Sequence, residues 1–306
     1  MFDLPQQERS ELWNKLTLAF EKYYSHTEDL KVCPDLNQTE IIAFIENFEF
    51  DENYLSKSLD HVLEGLTKYS VHTPHPMYFG LFNPRPSFAG IMADTITAFF
   101  NPQIAAWSHA PFAAEAERYL ILQFGLRFGY TNEEIEGAFT SGGAEANQKY
   151  PEFKEQGWAN IDSKPLIYCS SESHHSIQKA AKIIGLGLQS VRVIPADDSL
   201  CIDVVILQKQ IDKDIKNDFT PLIVITTLGV TGTGVLDDIE SITQLKNKYH
   251  FGLHADGAYG GAVTLSSQYK YLLSSIEKQI LSLLMRINGY LFRWGQVCLS
   301  RDIQKL

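Results

Sequence analysis

Residues 221–227 read Pro-Leu-Ile-Val-Ile-Thr-Thr, residues 251–256 read Phe-Gly-Leu-His-Ala-Asp, and between them 237–249 carries apolar residues at helical spacing. Two short apolar runs joined through a helix lie side by side and parallel in one sheet, because a parallel pair needs a long crossover. Working outward, Gly-Ala-Phe-Thr (137–140), Pro-Leu-Ile-Tyr-Cys (165–169) and Ser-Val-Arg-Val-Ile (190–194) repeat the strand texture, with helix candidates near 175–185 and 203–215. Runs without polar alternation suit strands buried on both faces. The reading is α/β: a mainly parallel sheet covered by helices. Ligands of such sheets sit beyond the carboxyl ends of the strands, so chemistry is sought there.

The tips carry the informative residues. The first strand runs into Thr140-Ser141-Gly142-Gly143-Ala144-Glu145-Ala146-Asn147, where glycines let a backbone approach a ligand and a helix N-terminus can hold an anion. Alone, Gly-Gly after a strand is often a turn. The second strand ends at Cys169 and leads to Ser173-His174-His175-Ser176. A histidine there can stack on a planar ligand or titrate near neutrality, or simply cap a helix. The fourth ends in Thr226-Thr227-Leu228-Gly229, whose hydroxyls can bond a phosphate or ring substituent. The fifth ends in His254-Ala255-Asp256-Gly257-Ala258-Tyr259-Gly260-Gly261. A carboxylate ending a buried strand is costly without a partner, and a protonated pyridine nitrogen is one such partner. The bland alternative is an Asp that caps the next helix.

The first third of the chain reads as helices. Leu12, Leu16 and Phe20 recur every four residues, as do Leu55, Leu59 and Leu63 with Leu66 following. Residues 72–84, rich in proline and aromatic rings, break the periodicity and predict an ordered loop, with core packing the simplest use for its rings.

Composition narrows the class. The chain has 306 residues, 44% hydrophobic and 21% charged, with a formal net charge of −11. That composition is globular, and the charge argues against a nucleic-acid surface or an anionic membrane. Cys33, Cys169, Cys201 and Cys298 form no CxxC pair, so neither a zinc site nor a disulfide framework is expected. No signal peptide opens the chain and no apolar run is long enough to span a bilayer. These features predict a cytoplasmic protein.

Each motif is ambiguous alone, but their order is not. A glycine cup, a stacking histidine, a threonine and an aspartate on successive strand ends resemble the large domain of fold-type-I pyridoxal-phosphate-dependent transferases. The wording is closest to the group II pyridoxal-phosphate-dependent amino-acid decarboxylases, the glutamate/aromatic-amino-acid type. Thr-Ser-Gly-Gly-Ala-Glu-Ala-Asn, Ser-His-His-Ser, His-Ala-Asp-Gly-Ala-Tyr-Gly-Gly, His75-Pro76-Met77-Tyr78-Phe79 and Trp107-Ser108-His109-Ala110-Pro111 carry the resemblance, over about residues 50 to 278.

The resemblance implies pyridoxal 5′-phosphate as cofactor. Gly143 and Ala144 would contact its phosphate, His174 would stack on the ring and assist proton transfer, Asp256 would pair with the ring nitrogen, Ala258 would lie beneath the ring, and Thr227 would meet polar substituents. His75, Pro76, Tyr78 and Phe79 would line the substrate entrance. It further implies decarboxylation of an L-amino acid to an amine and carbon dioxide, an N-terminal helical segment (1–75) before the cofactor-binding domain (76–306), a missing C-terminal small domain, and a homodimer. Two rivals stand beside it: another fold-type-I activity such as an aminotransferase or cysteine desulfurase, and an inactive gene product or cofactor-binding pseudoenzyme.

The sequence departs from the family in two places. The family's next segment is Asp-x-His-Lys, whose lysine forms the Schiff base. Here 279–298 read Gln-Ile-Leu-Ser-Leu-Leu-Met-Arg-Ile-Asn-Gly-Tyr-Leu-Phe-Arg-Trp-Gly-Gln-Val-Cys, and no lysine follows until Lys305. A family-like segment, with wobble bases and variable residues chosen to fit, translates into this stretch when read one base out of frame. We therefore expect 279–298 to be frameshifted, with frame restored near Leu299-Ser300-Arg301-Asp302 and Asn288 in the lysine's place; a divergent apolar helix is the alternative. The second departure follows Asn147: Gln148-Lys149-Tyr150 leads straight to Pro151, so the helix behind the glycine cup is expected to be about one turn long, its anion-binding end weakened.

Overall fold

A computed structural model describes residues 4–49, 54–80, 85–133, 135–140, 163–273, 276, 281–285 and 296–301. They fall into two compact units, Met1–Pro86 and Ser87–Leu306.

The first unit is helical: α1 (Gln6–His26), α2 (Gln38–Glu46) and α3 (Tyr54–Tyr69). The two leucine periodicities fall on α1 and α3. Asn37 starts α2 by accepting the N–H groups of Thr39 and Glu40, the usual device for unpaired donors at a helix start. Lys15 of α1 donates to the Ser56 carbonyl (3.3 Å) and hydroxyl (3.0 Å) and pairs with Asp60, tying α1 to α3. Phe44 of α2 stacks on His61 of α3 with ring centroids 4.0 Å apart and planes within 5°. None of the side chains of α1 is fully buried.

The second unit carries α4 (Phe88–Phe100), α5 (Pro111–Arg127) and the sheet. Seven strands run among the described residues: β1 (Ile135–Thr140), β2 (Lys164–Ser170), β3 (Val191–Ile194), β4 (Phe219–Thr227), β5 (Gly252–Asp256), β6 (Leu281–Met285) and β7 (Gln296–Arg301). Their order is β1-β7-β6-β5-β4-β2-β3. Only β7 is antiparallel to its neighbours, so six strands point one way. The helices α6 (Ser176–Ile183), α7 (Val204–Lys216) and α8 (Ile239–Tyr249) fall on the three helix candidates.

The sheet is buried from both sides. Leu166 and Tyr168 of β2 pack with Leu207, Ile211, Ile242 and Leu245 of α7 and α8, while Ile167 and Cys169, alternating to the other face, pack with Ile177 and Ala181 of α6. That period of two explains the unbroken apolar runs. Asp203 and Asp238 cap α7 and α8 by accepting the N–H groups of Ile206 (2.9 Å) and Ser241 (3.1 Å). Strands β6 and β7 lie within or beside residues 279–298. The run Ile-Leu-Ser-Leu-Leu-Met has neither clean alternation nor a helical stripe, and the backbone forms a strand beside β5 rather than an apolar helix.

Candidate active site

Because six strands share one direction, their carboxyl ends meet along one edge of the sheet. Thr227, the last residue of β4, stands in register with Asp256, the last of β5. The ladder runs one step further, with Leu228 N–H donating to the Asp256 carbonyl at 2.8 Å, and Gly260 N–H returns to the Leu228 carbonyl at 2.7 Å. These two tips approach so closely that a Cβ on Gly260 would lie 2.2 Å from the Leu228 oxygen. Gly229, at φ +93°, adopts a conformation that side chains disfavour, and it faces the Tyr259 ring.

The β2 tip joins them through hydroxyls. Ser173 Oγ and Thr227 Oγ1 are 3.0 Å apart, which places His174, the next residue, at the same edge as Thr227 and Asp256. Asp256 is 9% exposed. Its Oδ1 accepts the Ala258 N–H at 3.1 Å, a local turn that fixes Ala258 beside the carboxylate, while the short helix at Gly260–Leu265 has Tyr259 at its start and takes no cap from Asp256. No ion pair to Asp256 is recorded among the described residues, so this buried carboxylate suits a cationic partner. His174 likewise serves locally: its Nδ1 accepts the Ser176 N–H (3.3 Å) at the start of α6, which leaves the proton of a neutral ring on Nε2. Its ring lies 4.1 Å from that of His175, whose pKa is lowered chiefly by the charge of His174 and then by Lys179.

Asp237 was not singled out from the sequence. Its Oδ2 accepts the Thr227 N–H (2.7 Å) and its Oδ1 the Ile202 N–H (2.7 Å), while its own N–H donates to the Thr227 carbonyl (3.0 Å). Burial lifts its carboxyl above the usual carboxylate range, against the pull of those two N–H groups. The signal was the doublet Asp237-Asp238 before a helix: one aspartate is enough for the cap, so the other is available elsewhere.

His75, Pro76, Tyr78 and Phe79 lie in the first unit. There His72, 3% exposed, shares a hydrogen bond between its Nδ1 and the Tyr23 hydroxyl (3.0 Å), and a chain of turns leads through His75 to Tyr78. His75 Nδ1 accepts the Met77 N–H (3.0 Å) and its Nε2 meets the Glu28 carbonyl (3.3 Å). Phe79 is 85% exposed and Met77 63%, so these side chains are presented outward rather than packed as a core. Gly143, Ala144 and Asn288 lie outside the described residues, as does the stretch after Asn147.

Comparison with known proteins converges on the same reading. The pyridoxal-dependent decarboxylase conserved domain matches residues 45–280. Among solved structures, mouse CSAD superposes with a TM-score of 0.85 at 23% identity, covering 98% of this chain and 66% of its own. The glutamate decarboxylase domain of the diaminobutyrate-pyruvate transaminase and L-2,4-diaminobutyrate decarboxylase from Vibrio parahaemolyticus gives 0.83 at 23%, covering 98% and 68%. Oryza sativa TDC with PLP and tryptamine gives 0.87 at 16%, covering 98% and 65%. The chain thus spans about two thirds of the length of these proteins. It belongs to the pyridoxal-dependent decarboxylase family and has that family's α/β fold.

The described tips fit the ring of pyridoxal phosphate: a buried acid, a threonine hydroxyl and an imidazole share one edge. In register, Asp256 pairs with Leu283 of β6, and the sequence after β6, Arg286-Ile287-Asn288-Gly289, holds no lysine.

Proposed function

We propose that this chain derives from a pyridoxal-phosphate-dependent decarboxylase of an L-amino acid, retains non-covalent affinity for the cofactor, and turns over little or no substrate. The observation that carries this is the connected edge Ser173–Thr227–Asp256, set against a β6 continuation that holds no lysine. Bound pyridoxal phosphate would supply an electron sink for the bond to the departing carboxylate. Asp256 would hold a proton at the ring nitrogen, Thr227 would donate or accept at a ring substituent, Ala258 would support one ring face, and His174 would cover the other with Nε2–H available. Gly143 and Ala144 would take the phosphate. By the resemblance alone we assign His75, Pro76, Tyr78 and Phe79 to substrate entry.

The family match ends at residue 280, just inside the stretch whose wording fits a shifted reading frame, which supports a frameshift there. We also propose a homodimer in the cytoplasm. Ile96, Phe99 and Phe100 of α4 stand exposed, Phe99 by 75%, and a second copy is the partner that the resemblance implies for such a face. Three free cysteines among the described residues suit a reducing compartment, and no described helix is long and apolar enough to cross a membrane.

The test is direct. The purified chain is incubated with pyridoxal 5′-phosphate, treated with borohydride and analysed by intact mass, alongside a version with the frame of 279–298 restored. Reversible uptake without a reduced covalent adduct, no amine from amino acids, and both adduct and amine in the restored version are expected. Rapid amine formation by the 306-residue chain overturns the proposal; keto-acid product from the restored version favours an aminotransferase.

A further inference from the structure

We propose that Asp237 is a positioning residue for the cofactor ring, acting through Thr227. The inference rests on the site reading given above. One residue captures both backbone groups of Thr227, its N–H at 2.7 Å and its carbonyl at 3.0 Å, and with its second carboxylate oxygen it anchors the pair to the Ile202 N–H at 2.7 Å. Ile202 is 1% exposed and precedes α7, so the anchor point belongs to the core.

The choice of a carboxylate is informative. Asp237 is 5% exposed, and no cation is recorded against it among the described residues. Burying a charge on two backbone donors is an expensive way to close a loop. The loop from Leu228 to Leu236 already has other closures: the bridge between those two residues, and the Gly229 and Val230 N–H groups converging on the Val235 carbonyl. What only the carboxylate supplies is two acceptors for two N–H groups from different segments. An asparagine would offer one acceptor and turn its NH2 toward the other donor. Thr227 then passes its position on: its hydroxyl meets Ser173, the neighbour of His174, and its backbone sets the register with Asp256. Asp237 thereby governs how the threonine, imidazole and acid converge without touching the ligand itself.

The test uses the full chain and two variants, Asp237→Asn and Tyr168→Phe. The second removes a buried hydrogen bond to Asp214 (3.1 Å) within the same sheet but on the α7 side. Affinity for pyridoxal 5′-phosphate is read by absorbance titration and stability by urea midpoint. Asp237→Asn is expected to raise Kd about tenfold, the scale of one mispaired buried hydrogen bond. Tyr168→Phe is expected to lower the urea midpoint and leave Kd within about twofold. An unchanged Kd in Asp237→Asn, or an equal rise in Tyr168→Phe, overturns the inference and leaves the site reading intact. A native chain that takes up no cofactor sinks the site reading, and this inference with it. If Asp237→Asn does not fold, the native chain decides by NMR: the Asp237 carboxylate carbon and Thr227 amide should shift together on adding the cofactor, and an unmoved carboxylate signal refutes the inference.

Discussion

At the scale of single residues, the site edge depends on atoms that are small or hidden. Gly260 is present because β4 and β5 touch there; a methyl group 2.2 Å from the Leu228 oxygen forces the tips apart. Gly260→Ala should therefore cost about 2 kcal/mol or more in urea unfolding, the scale of overpacking a rigid contact. Cys169 shows the opposite face of burial. Desolvation, helped by the charge of Asp237, pushes its thiol up to about 11, and it lies 3% exposed under α6. At pH 8 a maleimide should label exposed Cys33 in minutes and leave Cys169 untouched until denaturant is added, as peptide mass mapping would show. The sequence conveyed much of this level and missed part of it. Thr227 and Asp256 are legible because strand ends are where parallel sheets bind. Asp237 and Ser173 are not, because their work is done on backbone and hydroxyl groups brought together only by the fold.

At the scale of elements, legibility follows the strength of the pattern. Strands β2 to β5 and helices α6 to α8 declare themselves through buried runs and amphipathic stripes, and the structure places them near the expected bounds. Strands β6 and β7 do not, since their residues lack any periodicity that separates strand from helix. The sequence reads 72–84 as an ordered loop with its rings in the core; in the described part, 72–80, His72 is buried but Phe79 stands exposed. What orders it is His72, whose pKa burial lowers, against a hydrogen bond to the Thr67 backbone that raises it, with the charge of His75 adding to the lowering. The sign follows from linkage. The unfolded histidine, at 6.5, binds protons before the folded one, so the His72 contribution is complete above that value and is lost as pH falls toward the folded pKa. The urea midpoint of the first unit should drop between pH 7.5 and pH 5, and His72→Gln should flatten that dependence. A midpoint insensitive to pH in the native chain would refute it.

At the scale of the whole molecule, the net charge of −11 and the apolar face of α4 pull in opposite directions. Charge keeps chains apart in general, while a specific apolar patch joins them at one place. Sedimentation should show a dimer at micromolar concentration that tightens with added salt, and Phe99→Glu should yield monomers while changing the unfolding free energy of the monomer by no more than about 1 kcal/mol, as expected for an exposed site. A native chain that sediments as a monomer at every concentration would remove α4 as the interface.

The sheet order has one more consequence. Ile135 pairs with Arg301, and among the described residues β1 reaches the remaining strands only through β7. As the polypeptide leaves the ribosome, β1 emerges early and must wait until β7, made much later, is threaded between it and β6. Such distant closure is slow, and unsatisfied strand edges invite wrong partners meanwhile. Among the described residues β7 is the piece that seals the sheet, so a substitution that loosens it would bare two strand edges at once.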